Sequence, residues 1–324
     1  MDPLMMTPKQ VIDLAVVAFK DRDLQSPAEA DAFFIEYSIG NTVDYPDNPY
    51  ERFEYYRSLL SRLQASDPQK FAAVHKGTPL YFLSWLAFDL HQFEAALHFI
   101  DAAIAEDKRV GPDWFNNPAP QLLMLNAPVQ TARRTIEALA SRIDKELNRF
   151  GKQYGVKFSL DTFLWQFAEP QLKHGTPAMV AAFYAFVLEF DDRAEEMRLR
   201  SAPMLGSYQP LFLHLFKGGL LLETVLKDAL PQVDRQTLAG FLSSGDFKNR
   251  MGFNPALKEV SITTVCTDAA STSPESAFVT TWRLRNIMGH SLIREPLSKV
   301  PDDYITLVHQ EINAFLYSVF KLYA

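Results

Sequence analysis

Residues 210–230, PLFLHLFKGGLLLETVLKDAL, are apolar on nearly every side when wound at helical spacing. A helix of that kind does not suit a surface; other elements must enclose it. The pair Gly218-Gly219 costs roughly 1 kcal/mol per glycine relative to alanine in a helix interior, which close approach of a neighbouring helix or subunit would offset. The rest of the chain supplies enclosing helices. Glycine is scarce, at 13 residues, and alternating Val/Thr-rich runs are few, so strands are disfavoured. Of 324 residues, 48% are hydrophobic, with 25 Phe, 12 Tyr and 4 Trp, which is ample for a packed core. The expected fold class is all-α, and the length points to two domains.

Helix starts are written locally. Thr7-Pro8 and Ser26-Pro27 each place a capping hydroxyl before a proline at the first helical position. Val11, Leu14, Ala15 and Phe19 then line one face of the first helix; Phe33, Phe34 and Tyr37 follow in the second. Asn41–Tyr50 and Gly111–Pro120 read as loops, the latter carrying Trp114-Phe115, a pair suited to plugging a groove. Tyr50–Leu63 and Thr131–Phe150 are periodic helices. The charged, then Pro-, Gly- and Ser-containing stretch Asp191–Tyr208 marks a boundary between domains 1–204 and 205–324.

Beyond that boundary, Thr237–Lys248 is a weaker helix, and Asn254–Pro274 is polar with a β-like run at Val260–Thr264. Ser273-Pro274-Glu275 caps a helix extending to about Ser291. Pro296 and Pro301 punctuate a turn. Asp302-Asp303 complements the dipole of a closing amphipathic helix, Tyr304–Tyr323.

Residues 80–106, LYFLSWLAFDLHQFEAALHFIDAAIAE, form two helical runs meeting near His91-Gln92. Ala96, Ile100 and Ala103 recur at helical spacing, and such small residues let two helices approach closely. With Leu80, Leu83 and Ser84 the segment resembles one tetratricopeptide (TPR) repeat, departing from that pattern where Lys108 stands at the usual terminal proline. No second copy follows at the repeat period, whereas an array needs about three. The N-terminal domain therefore reads as an irregular helical array with one TPR-like hairpin, and 80–106 as the surface for a protein partner.

Net charge is −7. Residues 205–324 carry 11 Lys and Arg against 11 Asp and Glu, so the acidic excess lies in residues 1–204. Whole-chain electrostatics do not announce a nucleic-acid binder, but a neutral C-terminal part leaves room for a local basic site. One cysteine, Cys266, excludes an intramolecular disulfide and a Cys-rich zinc site. The residues after Met1 lack a basic n-region and a long apolar stretch. No run approaches the roughly 20 apolar residues that span a bilayer. A cytoplasmic protein without membrane contact is expected.

Arg285-Asn286-Ile287-Met288-Gly289-His290 places a cation, an amide and an imidazole inside the apolar run Phe278–Ile293. Burial explains most of that helix but not these three side chains. The string resembles the R-N-x-x-x-H signature of the HEPN superfamily, whose members are all-helical and often cut RNA. The resemblance covers about residues 205–324, with the motif on the third of four main helices and Glu223 on the apolar first one. It implies a HEPN-like helical bundle that forms a homodimer through helix 275–291. Asn286 and His290, four apart, share a helix face, and Arg285 can bend towards it. Gly289 would let a ligand or second subunit come close.

A two-fold axis would bring two Arg-Asn-His sets into one cleft. His290, with a reference pKa near ~6.5, would take the proton of a ribose 2′-hydroxyl, which attacks the adjacent phosphorus. Arg285 would hold the phosphate and stabilise its added charge, and Asn286 would orient His290 or a phosphate oxygen. The products would be a 2′,3′-cyclic phosphate and a free 5′-hydroxyl, without a metal or other cofactor. Glu223 would either fix Arg285 or pair with Lys227 one turn on. The resemblance implies a ribonuclease acting in defence or stress. Two alternatives stand beside it: a non-catalytic dimer serving as protein scaffold or nucleotide sensor, and plain decoration of a helix end by cations.

Other groups are weaker. His75, His91, His98, His214 and His309 form no HExxH or HxxxH pair, so no metal site is expected. Cys266 sits in a polar stretch without an adjacent histidine. The basic run Arg133, Arg134, Arg142, Lys145 and Arg149 carries interspersed acids; a solvated face is the default and phosphate contact the alternative. There is no GxGxxG, P-loop or GxSxG.

Overall fold

The computed structural model describes residues 6–39, 48–126, 133–199, 208–290 and 302–324, with backbone alone at 133–135 and 290. All regular elements among them are helical, so the all-α class holds. The chain forms two compact units, Met1–Arg133 and Arg134–Ala324.

The first unit contains α1 (Pro8–Asp21), α2 (Pro27–Glu36), α3 (Pro49–Ser66), α4 (Pro68–Ala73), α5 (Gly77–Asp89), α6 (Phe93–Val110) and α7 (Pro118–Leu123). Thr7 and Ser26 cap α1 and α2, and Gln10 and Glu29 return the bond as reciprocal capping boxes. α5 and α6 form the expected hairpin. Ser84, Ala87, Ala96 and Ala103 are all fully buried, which lets the two backbones approach. The hairpin turns through His91 at φ 56, with Gln92 N–H bonded to Ala87 O and His91 N–H to Phe88 O. This is a Schellman closure with a non-glycine residue at its left-handed position. The expected loop at Gly111–Pro120 is instead a 3₁₀ turn (Pro112–Asn116) leading into α7. There Lys108 Nζ stands 4.5 Å from the Trp114 ring centre.

The second unit contains α8 (Arg133–Tyr154), α9 (Leu160–Phe163), α10 (Glu169–His174), α11 (Pro177–Leu199), α12 (Gln209–Ala229), α13 (Leu238–Leu242), α14 (Gly245–Met251), α15 (Ile262–Asp268), α16 (Pro274–His290) and α17 (Asp302–Leu322). α12 packs against α11, α13, α16 and α17, as its all-round apolarity requires. Its two glycines are contact points: a Cβ on Gly218 would collide with the Glu311 carboxyl, and one on Gly219 would lie 2.5 Å from Arg285 Cβ. Between α9 and α10, residues Leu164–Ala168 make a wider turn, with Glu169 N–H reaching Leu164 O. Pro170 cannot donate to the Gln166 carbonyl and its ring crowds it, which the wider turn relieves.

Several local expectations are corrected. Val260–Thr264 is not β-like: Ser261 caps α15, and Ile262 and Val265 are buried on one helical face. Thr237–Lys248 is two helices, because Ser244 starts a second cap before Gly245. Residues 191–199 are not linker but the end of α11, where Ala194 and Met197 are buried and Arg193 pairs with Glu189 and Glu196. The boundary at 204/205 falls outside the described residues, and α11 packs on α12 within one unit. α17 is not simply amphipathic: Gln310, Glu311, Asn313 and Ser318 are buried along with its apolar residues. The turn with Pro296 and Pro301 and most of Asn41–Tyr50 lie outside the described residues.

Candidate functional site

α16 is fixed at both flanks. Ser273 Oγ accepts from Ser276 N–H at its start. Ala277, Phe278, Thr281, Trp282, Leu284 and Met288 are buried along one side. Arg283 ties the helix outward, donating to Lys258 O and to Asp268 Oδ2 at 3.0 and 2.6 Å. Arg285 falls within that packed arc, towards α12, and Asn286 is turned about 100° from it.

Arg285 lies over α12. Its Nε is 3.3 Å from Glu223 Oε2, with the two side chains 34% and 21% exposed. Contact with Gly219 lets the arginine stem lie against the helix backbone, so its head reaches Glu223 one turn further along. Glu223 thus meets Arg285 across the helix interface, the first of the two roles open to it in the sequence. Asn286 is half-exposed on α16. Gly289 is exposed, with a Cβ there meeting only Phe216 Cε2 at 3.3 Å. The backbone of His290 ends α16, four residues beyond Asn286; its side chain lies outside the described residues. Arg285 and Glu223 therefore share the α12–α16 surface, with Asn286 the next residue along α16, and Arg285 is held there without being fully enclosed.

Three of the other histidines, His214, His75 and His309, are accounted for by packing. His214 is fully buried and stacked on Phe186 at 4.2 Å between ring centres. Its Nε2–H donates to Phe186 O (2.9 Å), so Nδ1 accepts from the Tyr304 hydroxyl (2.8 Å). Burial pushes its pKa down to about 4, keeping the ring neutral. His75 is buried between two carboxylates: Nε2 is 3.0 Å from Asp107 Oδ1, and Nδ1 is 3.3 Å from Asp31 Oδ1. Gly77 leaves room for that ring, since a Cβ would meet it at 2.7 Å. His98 and His91 are exposed. His309 does not approach α16; it faces Glu146 of α8 and Phe190 of α11.

Cys266 lies in α15 rather than in a loop. Burial, then the nearby Asp303 carboxylate, push its thiol up to about 12, opposite to what a nucleophile needs. Among the described residues, no three His, Cys, Asp or Glu side chains converge as a metal site. No helix there is long and apolar enough to cross a membrane. In the basic helix α8, Arg149 pairs with Glu146 within the helix, whereas Arg142 pairs with Asp191 of α11, an engagement across helices that the run of charges did not disclose.

Comparison with family models, curated proteins and solved structures finds no significant match for this chain.

Proposed function

We propose that this chain is a metal-independent endoribonuclease of HEPN type, acting as a homodimer in the cytoplasm in a defence or stress setting. The observation that carries the reading is the half-exposed Arg285, held by Glu223 beside Asn286 on the helix that His290 ends. A guanidinium braced at one edge keeps other N–H groups for a phosphate. Exposed Gly289 leaves the helix surface low next to His290. A second copy across α16 would supply the same groups from the opposite side.

His290 takes the 2′-hydroxyl proton. The 2′-oxygen then bonds to phosphorus while the bond to the 5′-oxygen breaks, leaving a cyclic phosphate and, after proton uptake, a 5′-hydroxyl. Arg285 neutralises the extra charge on the pentavalent phosphorus centre.

The test is incubation of the protein with total RNA in EDTA. Fragments with cyclic phosphate ends that disappear in a folded His290→Ala protein support the reading; cleavage unchanged in that variant removes His290 from the chemistry. The ion pair itself favours one second reading, a non-catalytic dimer for proteins or nucleotides in which Arg285 only braces α16. In that case dimerisation persists, no cyclic ends form, and the protein-binding surface is the 80–106 hairpin.

A further inference from the structure

On α8, Lys145, Arg149 and Lys152 succeed one another at four- and three-residue spacing and share one face. Together with α11 and α17 that face encloses a pocket of about 420 Å³. Arg198 of α11 and His309 of α17 also line it, and Phe190, Ala194 and Ile305 give it an apolar side. In a chain of net charge −7, this pocket gathers four cations against two carboxylates, Glu146 and Asp191.

Both carboxylates already have partners, Asp191 outside the pocket and Glu146 within it. Asp191 Oδ2 accepts from Arg142, which does not line the pocket. Glu146 Oε2 accepts from Arg149 Nε at 2.8 Å, and its Oε1 is 3.8 Å from His309 Nε2. The guanidinium is thus held at Nε, and its Nη1 reaches Gln153 Oε1 at 3.5 Å, while Arg149 Nη2 is buried with no acceptor among the described residues. A buried charged donor left unmatched is costly. Among the described residues, exposed Lys145 and Lys152 make no ion pair and Arg198 pairs only with exposed Glu195. His309 adds no positive charge of its own: burial, then Arg149 and Lys145, push its pKa down to about 3.

We propose that this pocket binds a phosphorylated small molecule of nucleotide size, its phosphates held by Lys145, Arg149 and Lys152, with Arg198 at the rim. Its volume falls in the range of small-molecule sites, about 300–1,000 Å³. The apolar side and the edge-on His309–Phe190 pair, 5.1 Å between ring centres, give the organic part of the ligand a surface to lie on. The site is on α8, α11 and α17, so the proposal stands whether or not the α16 motif cleaves RNA.

The experiment is calorimetric titration of the full chain with ATP, inorganic triphosphate and adenosine. ATP binds saturably and more tightly than triphosphate, and adenosine does not bind. Lys145→Glu with Lys152→Glu weakens ATP binding by about tenfold or more with the melting temperature unchanged, as both side chains are exposed. Lys145→Gln with Lys152→Gln gives a smaller loss in the same direction. Absence of saturable ATP binding at millimolar concentration overturns the proposal, as does ATP affinity indifferent to both double variants. Triphosphate binding as tightly as ATP overturns the nucleotide assignment. A single-stranded RNA that needs these lysines, and that ATP does not displace, overturns the small-molecule assignment.

Discussion

Arg285 and Glu223 meet across two helices, Nε to Oε2 at 3.3 Å, and neither of these two shielded atoms has an aligned hydrogen bond among the described residues. A half-exposed pair of this kind contributes only about 0–1 kcal/mol to stability. Glu223→Gln should therefore leave the melting curve nearly unchanged. In the ribonuclease reading it frees Arg285 from its brace and lowers the cleavage rate by about tenfold, an activation cost of about 1.4 kcal/mol. A rate untouched by Glu223→Gln would reduce Glu223 to a surface partner.

Gly219→Ala tests the seating of the same arginine. The added Cβ would lie 2.5 Å from Arg285 Cβ and 3.3 Å from its Cα, so the two helices must move apart. Overpacking costs about 1–3 kcal/mol, against about 1 kcal/mol gained in helix propensity. A net loss is expected in chemical denaturation. Gly245→Ala is the control, because a Cβ there meets nothing within 4 Å; equal losses in the two variants would discard the close-contact account.

Stability of the first unit should depend on pH through His75. Burial opposes its charged form, but the bond to Asp107 and the Asp31 carboxylate outweigh that and raise its pKa to about 9. A group whose pKa rises on folding stabilises fully below its unfolded value of 6.5, and the contribution is lost as pH climbs through about 9. The linked amount is about 3 kcal/mol. Melting followed from pH 6 to pH 10 should show this decline, and His75→Ala should abolish it while lowering stability at neutral pH, since Asp107 would be left buried without its partner.

Glu311 gives a decline of the same sign in the second unit, by favouring a neutral rather than a charged form. It is 1% exposed, and neither carboxyl oxygen has a hydrogen-bond partner among the described residues. Burial raises its pKa well above 4.5, so the folded chain keeps the proton that the unfolded chain releases. Stability then falls as pH rises above the unfolded pKa, by up to about 1.4 kcal/mol per pH unit. Glu311→Gln removes the ionisation but keeps the shape. It should be more stable than the parent at pH 7, by up to about 3 kcal/mol, with the two converging near pH 4. A less stable Gln variant at pH 7 would contradict a neutral, unpartnered Glu311.

His91 offers a purely backbone test. Its φ of 56 lies where a Cβ is costly and glycine is at ease. His91→Gly should stabilise the α5–α6 hairpin by about 0.5–1 kcal/mol, read as a rise in denaturation midpoint. A fall would mean that the imidazole contributes through its contact with Phe93, 5.5 Å between ring centres.

Much of the fold was legible because its signals are local. Thr7-Pro8, Ser26-Pro27 and Ser273-Pro274 each start a helix where a hydroxyl precedes a proline, since capping involves residues within one turn. The all-round apolarity of residues 210–230 likewise announced a central helix. Local signals also misled: Val260–Thr264 has β-branched residues, yet Ser261 and burial of Ile262 and Val265 make it helical. At the candidate site, the sequence singled out Arg285, Asn286, His290 and Glu223. The choice between Arg285 and Lys227 as partner of Glu223 required knowing which helix lies opposite.

By itself the sequence determined helical class, most helix starts, and a motif helix whose polar residues burial could not explain. All of these depend on neighbours within a few positions. Tertiary structure alone decided that Gly219 seats Arg285, that His75 is clamped by Asp31 and Asp107, and that Lys145, Arg149, Lys152, Arg198 and His309 surround one pocket. Those relations join residues far apart in the chain. Charge and burial act through space, so no local pattern encodes them until the helices have packed.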